Sequence, residues 1–403
     1  MKVIVIGAGF AGACAAWFLR ERGADVQVLE KGPAPGGMLR TLETPEGIPY
    51  EYGPRVISVF RGTPDILPFV RRFATLDERA IYQGTRLRPE YPTIPFPVDR
   101  ASLSTLPCGP DVAREWGALQ SAGGAVDEAN LKTYLESSVG PTLTRLAFEG
   151  FNQKFWGKAL EDMPADWGKL RRLERIPEAG DYRLPSVAPH YYPRGGFNPI
   201  FDQLLAGDDV RYDVPIRGVE VTGSGVSVRT DDETLAADVV VSTAPIDEIL
   251  GHPFGPLAWA GYRTEIEVHD GDHDLGRAPD GTPFSWLYTP WPETPVCRTT
   301  DFGVIHHGPD RSRPRVVLRE IPDPSVKMYP VWWEADRVAA YLRHAAGLPG
   351  FVPLGRLGMY KYLTTDSTLG MVQRFLEVLE AYMVADADER LALLHRIRGA
   401  WQN

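Results

Sequence analysis

Cysteine is scarce in this chain of 403 residues: Cys14, Cys108 and Cys297 are odd in number and far apart. This excludes a disulfide framework and provides no C-x-x-C pair for a metal or a dithiol, in keeping with a reducing compartment. No apolar run approaches the roughly 18 residues of a membrane span, and the opening MKVIVIG lacks the basic segment and cleavage site of a signal peptide. A cytoplasmic location without a membrane partner is expected. Positive charge is also in deficit: 43 Lys and Arg face 53 Asp and Glu, a formal charge of -10. That excludes a general nucleic-acid surface, so any bound anion must be met by a local cluster of cations. Repeats and low-complexity tracts are missing. What is present is 43% hydrophobic content with 40 Gly and 36 Pro, enough for a large core and two or three subdomains.

KVIVIGAGFAGACAAWFLRERGADVQVLEKG reads as strand, glycine turn, helix and second strand. Gly7 allows the tight turn, Gly9 lets a pyrophosphate approach the backbone at the helix start, and Gly12 lets helix and strand pack closely. Glu30, at the end of the second strand, suits ribose hydroxyls. The complete unit points to a dinucleotide, and the Gly36-Gly37 pair that follows favours FAD over NAD. Lys31, Gly37 and Met38 are expected along the cofactor.

Proline-rich stretches near 89–97 and 105–110 mark a subdomain boundary. A helical block follows, with Asp127 as N-cap and Leu131, Leu135 and Val139 on its buried face, continuing through Leu143, Leu146 and Phe151. Short alternating runs over 208–242 and again over 262–335 read as sheet, and two helices close the sequence. The fold class is α/β: a discontinuous Rossmann-like FAD domain (1–84, 193–250 and 345–403), an α-helical insert (100–170), and an antiparallel substrate-binding sheet (85–99, 171–192 and 251–344).

FEGFNQKFWGKALEDMPADW resembles the helix-to-loop segment of UDP-galactopyranose mutases, with its aromatic, its Lys-x-Trp-Gly and its Met-Pro step in order. The likeness continues through KLRRLERIPEAGDYR, YPRGGF, VVVSTAPIDEIL (Ala244 for the family's glycine), TPVCRTT, VVLREIP and KMYPV. It ends at GRLGMYKY, almost residue for residue the family's Gly-Arg-Leu-x-x-Tyr-Lys-Tyr. The resemblance implies that Phe151 and Trp156 pack against a nucleotide and that Arg171, Arg175 and Tyr182 approach its diphosphate. It further implies that Glu320, Tyr329 and Tyr362 line the substrate site and that Gly355 approaches the flavin. Arg298 and Arg356 would flank the diphosphate with bidentate, charge-assisted bonds.

The implied activity is a reversible ring contraction of a nucleotide sugar without net oxidation. In that family the reduced flavin displaces the nucleoside diphosphate from the anomeric carbon, the sugar opens and recloses through another hydroxyl, and the retained diphosphate returns. No metal is required, but an external reductant such as NAD(P)H is, and a homodimer is expected. The sequence departs from the family where GPRVISV stands for Gly-Ala-His-x-Phe-His, placing Arg55 at the first histidine, beside flavin or phosphate. Thr364 stands for the acid after GRLxxYKY, with Asp366 two positions on. The resemblance alone implies a UDP-hexose, UDP-galactose; these departures point instead to a specialised relative acting on another nucleotide sugar, a GDP-hexose such as GDP-L-galactose. Two other readings remain open: an amine-oxidase-like flavoenzyme with an apolar substrate tunnel, and a flavin-independent nucleotide-sugar protein. In the latter, HDGDHD (His269 to Asp274) and His306-His307 would hold a metal.

Overall fold

A run of β-branched residues buried on both faces makes a central parallel strand, and KVIVI at Lys2–Ile6 is one. In the computed structural model, which describes residues 1–58, 65–123, 125–170, 176, 190–222, 225–271, 273–308 and 310–399, it lies third in a five-stranded sheet. The order is Asp209–Arg211, Asp25–Leu29, Lys2–Ile6, Val239–Ser242, Phe351–Pro353, every pairing parallel. These strands come from three distant parts of the chain. The helix Phe10–Glu21 crosses from the first strand to the second and buries Ala13, Ala16 and Leu19. The long helix Thr365–Val384 packs beside it and buries Met371 and Phe375.

A second, six-stranded sheet runs Tyr262–His269, Arg315–Pro322, Arg298–Asp301, Trp286–Tyr288, Gln83–Thr85, Ile94–Pro95. It is antiparallel as expected except where Trp286–Tyr288 meets Gln83–Thr85 in parallel. Those two strands are not joined by a hairpin, so no turn imposes opposite directions on them.

The helical block carries its own core, in which Leu131, Leu135, Leu146 and Trp156 are buried with Tyr262 and Tyr329 of the sheet region. Its first helix, Leu131–Val139, is capped by Asn130 and not by Asp127. Asn130 and Thr133 exchange side-chain and backbone bonds in a capping box, while the Asp127 carboxylate accepts from Ala129 N in a local turn. The buried Leu131, Leu135 and Val139 stripe is as expected. A π-helical turn, Thr144–Glu149, then leads into the helix Gly150–Trp156.

Candidate active site

The glycine turn meets the requirements of a dinucleotide cradle. Gly7 adopts φ +98° and its N–H donates to Leu29 O at 2.8 Å. A Cβ on Gly12 would overlap the Gly7 carbonyl oxygen, so helix and strand are as close as two backbones can be. The helix Phe10–Glu21 has no side-chain cap, which leaves its first N–H groups for an anion. The Glu30 carboxylate accepts from Ala8 N at 2.7 Å and Gly32 N at 2.8 Å and so braces this turn. Gly36 and Gly37, both at positive φ, run beside Gly9, and a Cβ on Gly9 would find only Gly37 Cα, 4.0 Å away. Gly355, at φ +77°, leans on the same helix start, and a Cβ there would come within 2.9 Å of Ala11 Cβ. These residues fit FAD: the bare helix start would hold its pyrophosphate and Glu30 its ribose. Met38 is half-buried and Lys31 exposed.

The substrate side is organised by strand register. Tyr288, Arg298 and Glu320 stand directly opposite one another on three neighbouring strands, so their side chains share one face. Arg298 donates from Nε and Nη2 to Glu320 Oε1 at 3.0 and 2.7 Å, and its guanidinium lies 5.9 Å from the Tyr288 ring. Burial alone would weaken the Arg298 charge, but Glu320 foremost holds it well above the ordinary arginine value. The same burial lifts the Glu320 carboxyl above the usual carboxylate range, against the pull of Arg298 and Arg55.

Arg356 lies 5.1 Å from the Tyr329 ring and 5.3 Å from the Tyr362 ring, and the two rings stack at 6.1 Å. Arg298 thus stands beside Tyr288, and Arg356 beside Tyr329 and Tyr362. Phe155 packs 5.7 Å from Tyr329, and Phe151 stacks on Phe155 at 5.8 Å and meets Tyr288 edge-on at 5.6 Å. Trp156 is deeper: 7% exposed and boxed by Trp167, Trp332 and Trp333. Its indole N–H has no partner among the described residues. Arg171, Arg175 and Tyr182 lie outside the described residues.

Arg55, the departure from the family pattern, directs its donors onto the protein. Nε donates to Met38 O and Nη2 to Tyr52 O, each at 3.0 Å, while Nη2 also reaches Tyr262 Oη at 3.3 Å. The Tyr262 hydroxyl donates in turn to Tyr52 O. The residue is therefore a strut between the Gly37–Met38 turn, the Tyr52–Pro54 segment and the second sheet. Gly53 is needed there because a Cβ at its φ of +109° would press on Glu320 and approach Tyr262 Oη to 2.8 Å. Thr364 and Asp366 are bonded to each other at the start of the long helix, and Asp366 is buried.

Several residues beyond the sequence reading belong to this region. Lys154 of KFWG donates to Thr289 O at 2.8 Å and to Trp291 O and Val296 O at 2.9 Å, pinning the turn that delivers Arg298. Burial lowers its ammonium pKa. The signal for Lys154 was its place in the motif; Tyr288 and Tyr262 carried none, because only strand pairing puts them on this face.

Lys361, inside GRLGMYKY, is turned away from the tyrosines and donates to Arg398 O at 2.8 Å and Gly399 O at 3.1 Å. Burial, with Arg398 and Arg374 nearby, lowers its pKa from 10.5 to about 8. The folded chain thus holds this proton less tightly than the unfolded one. The penalty is present below pH 8 and relieved as pH rises toward 10.5. Stability of the wild type relative to Lys361→Met should rise by about 1–2 kcal/mol across that window, after allowance for solvent screening. Urea midpoints of the two proteins at pH 7.5 and about pH 10 would check it, parallel shifts being the contrary result.

As for metal ligation, the His269 and His273 rings lie 4.5 Å apart and tilted by 47°, His273 Nδ1 is 3.6 Å from Asp301, and His306 bonds Glu51 at 3.1 Å. Among the described residues no group of three or more His, Cys, Asp or Glu could hold a metal ion. None of the described helices is long and apolar enough to cross a membrane.

Fold and site together define a flavoenzyme: an FAD-binding α/β domain beside a region that presents half-buried arginines among tyrosines. The chain belongs to the flavin containing amine oxidoreductase family, whose pattern it matches over residues 10–265. Among the proteins it resembles along nearly its full length are UDP-galactopyranose mutases, as the motifs imply. It is 22% identical to the dTDP-fucopyranose mutase of Escherichia coli over 91% of this chain and 94% of that one. It is 21% identical to a probable UDP-galactopyranose mutase of Klebsiella pneumoniae over 91% and 92% of the respective chains. The crystal structure of reduced UDP-galactopyranose mutase superimposes over the whole of both chains with a TM-score of 0.78 at 14% identity.

Proposed function

We propose that this protein is a nucleotide-sugar pyranose mutase that interconverts the pyranose and furanose forms of an NDP-hexose without net oxidation. The observation that carries this reading is one aromatic cluster that joins the two arginines: Arg298, held by Glu320, lies beside Tyr288, Arg356 lies beside Tyr329, and Phe151 and Phe155 pack between those two phenols. Two fixed cations in a partly dry site suit a diphosphate, whose charge grows as it leaves the anomeric carbon. Reduced FAD, held by the glycine turn and Gly355, would supply the electron pair for that displacement. The protein's own part is to hold the diphosphate through departure and return. Tyr329 and Tyr362 supply hydroxyls, and Phe155 with the tryptophan box keeps water from the opened sugar. An external reductant such as NAD(P)H, a homodimer and a cytoplasmic location complete the proposal.

Arg55 is committed to Met38, Tyr52 and Tyr262, so it offers no reason to prefer guanine. The names of the relatives, a dTDP-sugar and a UDP-sugar mutase, support a pyrimidine nucleotide first and a GDP-hexose such as GDP-L-galactose second. The test is to incubate the FAD-loaded protein with UDP-galactose, dTDP-fucose and a panel of GDP-hexoses, with and without dithionite. A new chromatographic peak of unchanged mass, only under dithionite, is the expected result. Peroxide from an amine, with no isomer from any sugar, would instead favour the oxidase reading suggested by the family's name.

A further inference from the structure

The segment that carries Gly355, Arg356 and Tyr362 cannot hold its own shape. Its helical part, Gly355–Gly358, is four residues long, far below the length at which a helix is stable alone. It is followed by Tyr360 at φ +46°, a conformation that a bulky residue keeps only when its surroundings impose it. Arg356 itself has one side-chain bond within the segment, from Nη2 to Leu363 O at 2.6 Å.

We propose that Lys361 and Arg398 form a two-way clamp by which the helix Ala387–Arg398 holds the backbone of 359–361, making both of them positioning residues for Arg356 and Tyr362. The bonds cross in both directions. Arg398 donates from Nε to Met359 O at 3.0 Å and from Nη2 to Tyr360 O at 3.2 Å. Lys361, 6% exposed, donates back to Arg398 O and Gly399 O. Arg374 of the preceding helix takes Ile397 O at 3.1 Å. The carbonyls of residues 397, 398 and 399 are thus each met by a cation, which is where a helix's unpaired acceptors and negative dipole end favour one. On the other side the Tyr360 hydroxyl is anchored to Ala258 O. A helix outside the substrate sheet therefore sets the distance of Arg356 from the rings of Tyr329 and Tyr362. The consequence for substrate rests on the diphosphate role proposed above for Arg356.

The test compares FAD-loaded wild type with Lys361→Met, Arg398→Ala and Arg398→Lys by amide hydrogen exchange and by UDP binding. The first two should speed exchange at residues 355–364 by about tenfold while leaving residues 2–29 unchanged, since only local opening is affected. They should weaken UDP by about tenfold, as displacement of a positioned cation requires, and Arg398→Lys should recover part of both. If Arg398→Ala does not fold, the other two variants carry the comparison. Unchanged exchange at 355–364, or acceleration spread over the whole chain, overturns the clamp. A wild type that binds no UDP, dTDP or GDP overturns the diphosphate reading, and exchange still decides the clamp.

Discussion

Arg298→Met is expected to cut turnover by about 10²–10³-fold, the usual loss when a preorganised partner for developing negative charge is removed. The effect does not stop at chemistry. Glu320 is 1% exposed and its Oε1 takes both bonds from Arg298, so the substitution leaves a buried carboxylate short of its main partner at about 3–5 kcal/mol. The double variant Arg298→Met/Glu320→Gln should regain most of that stability and none of the turnover. Denaturant midpoints and the chromatographic assay separate the two, and a single variant with near-normal turnover would remove Arg298 from the proposed site.

Gly12→Ala should cost about 3 kcal/mol or more by overpacking and strip the protein of FAD. The added Cβ would overlap Gly7 O, a backbone atom in the strand-to-helix turn, and approach Val5 Cγ1 to 3.3 Å. Neither is the loose end of a flexible side chain. Gly9→Ala makes the informative contrast. Its Cβ has room in the protein itself, so the variant should fold normally and still lose flavin affinity, because the crowding comes from the pyrophosphate. Flavin absorbance retained after gel filtration, set beside thermal unfolding, distinguishes these outcomes; a fully loaded Gly9→Ala would place the pyrophosphate elsewhere.

Much of the fold was legible because its signals are local. KVIVI is apolar without interruption, the glycines fall at the turn that needs them, and Leu131, Leu135 and Val139 recur at a helical period. The cap was misread for a local reason too: Asp127 and Asn130 are both good N-cap residues, and the box closed by Thr133 decides between them. The candidate site was legible only in part. Arg298, Glu320, Arg356, Tyr329 and Tyr362 could be named from motif resemblance, but not their partners. Arg55 was expected at flavin or phosphate, whereas its donors are held by carbonyls of residues 38 and 52 and by Tyr262.

What the sequence by itself determined about this protein is the dinucleotide unit and the class of fold, and motif resemblance named Arg298, Arg356, Tyr329 and Tyr362 as candidates, since each of these signals rests on neighbours within a few residues. Only the tertiary structure decided that Tyr288, Arg298 and Glu320 share a face, that Arg356 lies over the rings of Tyr329 and Tyr362, and that Lys361 bonds the last helix. The physical reason is that strand register and helix docking are set by burial summed over distant segments, and a one-residue slip in a strand would turn its side chains to the opposite face.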